Sequence, residues 1–127
     1  MKKVCNALNT TDYDQIDGLD CIDYWSEKRN EPARFCRVSH KEGTPGNKLV
    51  GGHVITIDKG TPHVYIVPML SSYNAMKENL PAFFVDDESL VEVPRDQEQK
   101  ILSDPDNIKE IARQKNESFF NTLKKFR

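Results

Sequence analysis

Two apolar runs, residues 49–57 and 63–70, flank the break Asp58-Lys59-Gly60-Thr61-Pro62. Val54, Ile55 and Ile57 in the first, and Val64, Ile66 and Val67 in the second, are β-branched. Such side chains favour an extended backbone and pack well on a pleated surface. With Gly and Pro in the connection, the pair predicts a β-hairpin, around which every other element has to be placed.

The flanking signals are shorter. Residues 1–18 are rich in Asn, Thr and Asp without a sustained period, and predict an irregular lead-in. Leu19, Ile22 and Trp25, with Cys21 beside them, predict a short amphipathic helix that Asn30 and Pro32 close. Residues 33–39 alternate, with Phe35, Arg37 and Ser39 opposite Cys36 and Val38, and predict a short strand or knuckle-like arm. A Gly- and Pro-containing loop follows. Ser71 can cap a short helix over residues 71–79, and residues 82–86 and 89–94 read as strands around the acidic turn Asp86-Asp87-Glu88. At the C-terminus, Asp104 and Pro105 open a helix over 105–127 with the stripe Ile108, Ile111, Ala112, Phe119, Leu123 and Phe126. These elements predict an α+β fold.

A chain of 127 residues reads as one domain, 1–127, and its 37% apolar content allows a modest core. The net charge of -2 gives no global field toward a polyanion. Locally, residues 31–85 hold six basic against four acidic side chains, and residues 105–127 six against three. No apolar run approaches the length of a membrane span, and Asn6, Asn9 and Asp12 interrupt any signal-peptide core after Lys2 and Lys3. Three cysteines, an odd number, suit reduced thiols, so a cytoplasmic location is expected.

Three words in the middle third follow one another in an informative order. They are Cys36-Arg37-Val38-Ser39, then Gly51-Gly52-His53-Val54, then the run from Tyr65 through Pro68-Met69-Leu70-Ser71-Ser72-Tyr73-Asn74 to Lys77. This order resembles the HNH nuclease superfamily, a ββα-metal finger often built on a treble-clef zinc frame. The resemblance covers about 45 residues within the finger 33–80. It implies a Cys-x-x-Cys knuckle at 36–39, a second ligand pair at 70 and 73, a water-activating His53 and a metal-holding Asn74. The chain departs from that pattern at Ser39, Leu70 and Tyr73, and Gly52 stands where the family has a further metal ligand. A structural zinc needs four N or S ligands, and one thiolate does not supply them. An apolar plug around Leu70 and Tyr73 is expected in the metal's place.

The reading is therefore an HNH-like ββα finger with short flanking strands and a C-terminal amphipathic helix, acting as a non-catalytic binding module without metal or cofactor. Its partner is a protein or a nucleic acid, and no membrane is expected. Arg34, Arg37, Lys41, Lys48 and Lys77 are the candidates for phosphate contact, and Phe119, Phe120, Leu123 and Phe126 for a protein partner. The alternative is an active metal-dependent nuclease using His53 and Asn74. Should a metal site have relocated, Cys36, His40, His53 and His63 are its candidate ligands. The bland reading leaves His40 and His63 in exposed loops and Cys36 as a small buried hydrophobe. A Cys36–His53 nucleophile pair lacks any local motif for an orienting carboxylate.

Overall fold

The computed structural model describes the backbone of residues 1–125 and the side chains through Asn116. In chain order the elements are β1 (Lys2–Asn6), β2 (Gln15–Ile16), β3 (Leu19–Asp20), α1 (Cys21–Arg29), β4 (Leu49–Thr56) and β5 (Val64–Leu70). They continue with α2 (Ser71–Asn74), β6 (Phe83–Val85), β7 (Val91–Glu92), α3 (Arg95–Ser103) and α4 (Pro105–Lys125). The architecture is α+β. An antiparallel sheet runs in the order β6-β1-β4-β5-β7, and β2 pairs with β3 as a separate hairpin.

The predicted hairpin is the middle of that sheet, with β4 and β5 in continuous register from Leu49↔Leu70 to Ile55↔Val64. Alternation along β4 sends neighbouring side chains to opposite faces. On one face Cys5, Ile55 and Ile66 pack with Tyr24 and Trp25 of α1 and Ile101 of α3. On the other, Val4, Val54, Val67 and Met69 pack with Cys36, Leu70 and Val85. Trp25 is 1% exposed and its indole N–H donates to Ser89 O at 2.8 Å, which ties α1 to the segment between β6 and β7.

Several expectations need correction. The lead-in 1–18 is not irregular throughout: Lys2–Asn6 form β1, paired to β4 on one side and β6 on the other. Only Val4 and Cys5 give β1 an apolar signature, and burial on both faces leaves no alternation to read. Residues 33–39 form no strand. Phe35 makes a single bridge to Glu42, and the segment from Cys36 is a turn, closed by His40 N–H to Cys36 O and Cys36 N–H to Lys41 O, each 2.8 Å. The helix expected over 71–79 is one turn, α2, followed by a 3-10 turn at Lys77–Asn79. Lys77 has φ +52°, which breaks the helix, and Asn6 Nδ2 donates to the carbonyls of Tyr73 and Lys77 at 3.3 Å each. The region resembling a finger therefore contains the long hairpin but only a vestige of its helix.

Helix α3 lies outside the sequence expectation, and of the stripe predicted for α4, Ile111 packs against the core while Ile108 and Ala112 are exposed. Asp104 does cap α4, its Oδ1 accepting from Asp106 N–H at 2.9 Å. Ile108 is 55% exposed, and among the described residues of α4 the fully buried positions are Asn107, Glu110 and Gln114. Asn107 fixes this orientation. Its Oδ1 accepts from Leu8 N–H at 2.7 Å, while its Nδ2 donates to the carbonyls of Leu8 and Ile101 at 3.0 Å. A fully buried amide with such bonds outweighs the burial of one Ile, because losing it strands backbone groups away from water. The side chains of Phe119, Phe120, Leu123 and Phe126 lie outside the described residues.

The glycine pair before His53 has a specific role. A Cβ on Gly51 would lie 2.5–2.6 Å from the Cys21 backbone carbon, Cys21 Cβ and Ile22 N. The tight crossing is thus with the first turn of α1. The three atoms nearest a Cβ on Gly52 would all belong to the Met69 side chain, at 2.6–3.0 Å. Backbone cannot step aside as a flexible thioether can. Gly51→Ala is expected to cost on the order of 3 kcal/mol or more in chemical denaturation, and Gly52→Ala distinctly less. Equal costs would contradict this packing.

Candidate functional site

β1 stops where β4 does not. The last bond between them is Ala7 N–H to His53 O at 2.9 Å, after which the chain turns away while β4 extends back to Leu49. This mismatch opens a cleft of about 590 Å³ along the edge of β4, within the usual size of a ligand site. Asp14, Asp20 and the start of α1 line it, together with Asn74 and Lys77, and Gly51 and His53 belong to the strand at its base. Lys48, just before β4, also lines it.

Local sequence chemistry builds these walls. Asp17 and Gly18 have φ of +53° and +78°, the two left-handed residues of a tight hairpin turn. That turn folds β3 back on β2, with Gln15 opposite Asp20, and brings Asp14 and Asp20 to the start of α1. Cys21 closes the corner: its N–H donates to Asp14 O at 3.3 Å and its Sγ contacts the carbonyls of Tyr13 and Asp14 at 3.3 and 3.4 Å. The opposite wall hangs from Asn6 through its bonds to Tyr73 and Lys77.

His53 is 5% exposed, and its Nε2 is buried with no hydrogen-bond partner among the described residues. Burial alone pulls its pKa from the usual 6.5 down to about 4, so the ring is neutral at physiological pH. An unpartnered buried imidazole nitrogen is costly.

The other sequence candidates are dispersed. His53 and Asn74 do line one cleft, with Lys48 and Lys77. Arg34 pairs with Glu42 at 3.3 Å on the surface. Arg37 is committed internally: it donates to Ser89 Oγ at 2.8 Å and Phe35 O at 2.6 Å, and its guanidinium lies 5.3 Å from the Trp25 ring centroid. Lys41 is exposed, outside the cleft lining. Cys36 packs on the face of Val54, and alternation places His53 on the opposite face, so the two cannot share a metal or form a nucleophile pair. His40 is an exposed loop residue, and His63 bonds Glu98 Oε1 at 3.2 Å. Among the described residues no three His, Cys, Asp or Glu side chains converge as metal ligands.

Cys36 has a structural task. Its Sγ accepts from Val38 N–H and Leu70 N–H, each at 3.4 Å, joining the 36–40 turn to the end of β5. Burial raises the thiol pKa, but hydrogen bonds from the Ser39 backbone and hydroxyl, Leu70 and Val38 more than offset it, leaving a net lowering. Leu70 is buried in the same apolar cluster, and Tyr73 packs against it.

Sequence reasoning missed Asp14 and Asp20. The signal was Asp17-Gly18, a strong hairpin dipeptide, but its flanking strands are two residues each and leave no alternation to notice.

His53 makes stability pH-dependent. Its folded pKa is depressed below the unfolded value, so the unfolded chain binds the proton first as pH falls. Stability is intact above about pH 6.5 and declines toward pH 4, by as much as about 3 kcal/mol. In urea melts between pH 7 and 4, His53→Gln should remove about that much of the decline; an unchanged slope would show that His53 is not desolvated.

No family model matches the chain, and no curated protein and no solved structure shows significant similarity to it. Among the described residues no helix is long and apolar enough to cross a membrane.

Proposed function

We propose that the domain is a non-catalytic binding module whose partner is a protein, engaged in the cleft beside His53. The observation that carries this reading is the charge composition of the cleft. Asp14 and Asp20 line it together with Lys48 and Lys77, around a neutral imidazole. A polyanion drawn to the two lysines would meet two carboxylates in the same confined space. Of the other basic candidates, Arg34 is paired, Arg37 supports Trp25 and Lys41 lies outside the cleft, so the charge of the cleft is that of its own lining. Mixed charge suits a polypeptide segment, which carries both signs at short spacing.

The nuclease alternative is weaker on the residues themselves. In the HNH resemblance a ligand precedes the histidine; here that position is Gly52, packed against Met69. Asn74 offers one neutral oxygen, and a divalent ion needs several more.

Two assays separate these readings. Plasmid DNA incubated with the protein and Mg²⁺, Mn²⁺ or Ni²⁺ should remain uncut, and an oligonucleotide should not be retarded at physiological salt. Metal-dependent cleavage lost in His53→Ala would establish the nuclease instead. Retardation that falls steeply with salt and weakens in Lys48→Glu would establish a nucleic-acid partner.

A further inference from the structure

The cleft has a property beyond its charge: its base is the edge of a strand. β1 pairs with β4 only over Val54, Ile55 and Thr56. Ala7 N–H donates to His53 O, and Ile57 N–H to Lys3 O, so odd-numbered positions of β4 turn their backbone groups toward β1. Thr56 N–H instead donates to His63 O, on the β5 side. Backbone direction alternates strictly in an antiparallel ladder. Continued toward the start of β4, the alternation points the N–H and C=O of Gly51 and the C=O of Leu49 into the space that β1 has vacated, while Leu49 N lies against Gly43. That space is the cleft, and both residues line it.

The walls stand on either side of the sheet plane. The first turn of α1 presses on Gly51 from the face that carries His53. Asn74 and Lys77 come from the segment that Asn6 holds, and Asn6 shares a face with Val54. A chain lying between these walls would continue the sheet, one strand spacing from β4.

We propose that the cleft binds an extended peptide segment of a partner protein by strand addition to β4, in the place β1 leaves empty. This rests on the protein-partner reading and deepens it. Main-chain bonds to Leu49 and Gly51 supply affinity without sequence preference, and the walls select side chains. Asp14 and Asp20 favour a cationic group on the peptide, while Lys48 and Lys77 favour an anionic one.

The test uses the full chain and short random peptides displayed on phage. Selected peptides should carry both charge signs, and on titration should shift the backbone amide resonances of Leu49, Gly51 and His53. N-methylation at one set of alternate peptide positions should weaken binding at least about tenfold, and at the other set should leave it nearly unchanged. That asymmetry belongs to a ladder and not to side-chain docking. Peptides that bind but tolerate both methylation patterns, or that shift amides elsewhere, would overturn the strand slot while leaving a protein partner in place. Failure to select any peptide would remove both readings.

Discussion

The structure depends on the contact between the first turn of α1 and β4 at Gly51. A helix rarely comes so near a strand, and here it does so because residue 51 has no side chain to keep it away. That approach brings Tyr24 and Trp25 over Ile55 and Ile66, and so seals one face of the sheet. It also sets the position of Asp20 and Cys21, and through Cys21 the carbonyls of Tyr13 and Asp14. Core and cleft share one determinant. A change that lifts α1 from β4 loosens both the apolar cluster and the wall of the binding site.

Polar groups hold the periphery where the core is thin. Asn107 ties α4 to Leu8 and Ile101; Asn6 ties the end of β1 to Tyr73 and Lys77; the Cys36 sulfur ties its turn to Leu70. Each is a buried group that meets several backbone partners, and each joins segments distant in sequence. Such groups contribute modest net energy when satisfied and cost far more when a partner is lost. They give a small domain a unique arrangement. Among the described residues, His53 Nε2 and the Oδ1 of Asn6 itself are buried without a partner.

What the sequence revealed follows from how local each signal is. The β4–β5 hairpin was legible because β-branched residues fill both strands over their full length, and β6 and β7 because short apolar runs bracket an acidic turn. The helix expected over residues 19–29 is present from Cys21 on, but Leu19 belongs to β3 and the buried face is Cys21, Tyr24 and Trp25 rather than Leu19, Ile22 and Trp25; the cap at Asp104 was legible from its side chain. β1 was not, because it is five residues long and buried on both sides, so its character comes from its neighbours. The face of α4 was legible only in part: Ile111 packs on the core as its stripe implies, but the buried amide of Asn107, which sets the orientation at the start of the helix, carries no apolar signal. His53, Asn74 and Lys77, singled out by word order along the chain, and Lys48, singled out as a cation, all line the cleft. Asp14 and Asp20 were not singled out, since only the tertiary fold brings them across from the lysines. Arg37 was misplaced among surface cations because its stacking on Trp25 joins residues 12 positions apart, beyond any local pattern.

The central claim is that packing and hydrogen bonding, not a metal, hold the Cys36 region and leave the cleft for binding. Elemental analysis of the purified protein, with thermal melts in the presence and absence of a strong chelator, tests it most directly. The account predicts no stoichiometric zinc and superimposable melts. One zinc per chain and a melt lowered by the chelator would contradict it, and would make the sulfur of Cys36 a metal ligand rather than a hydrogen-bond acceptor.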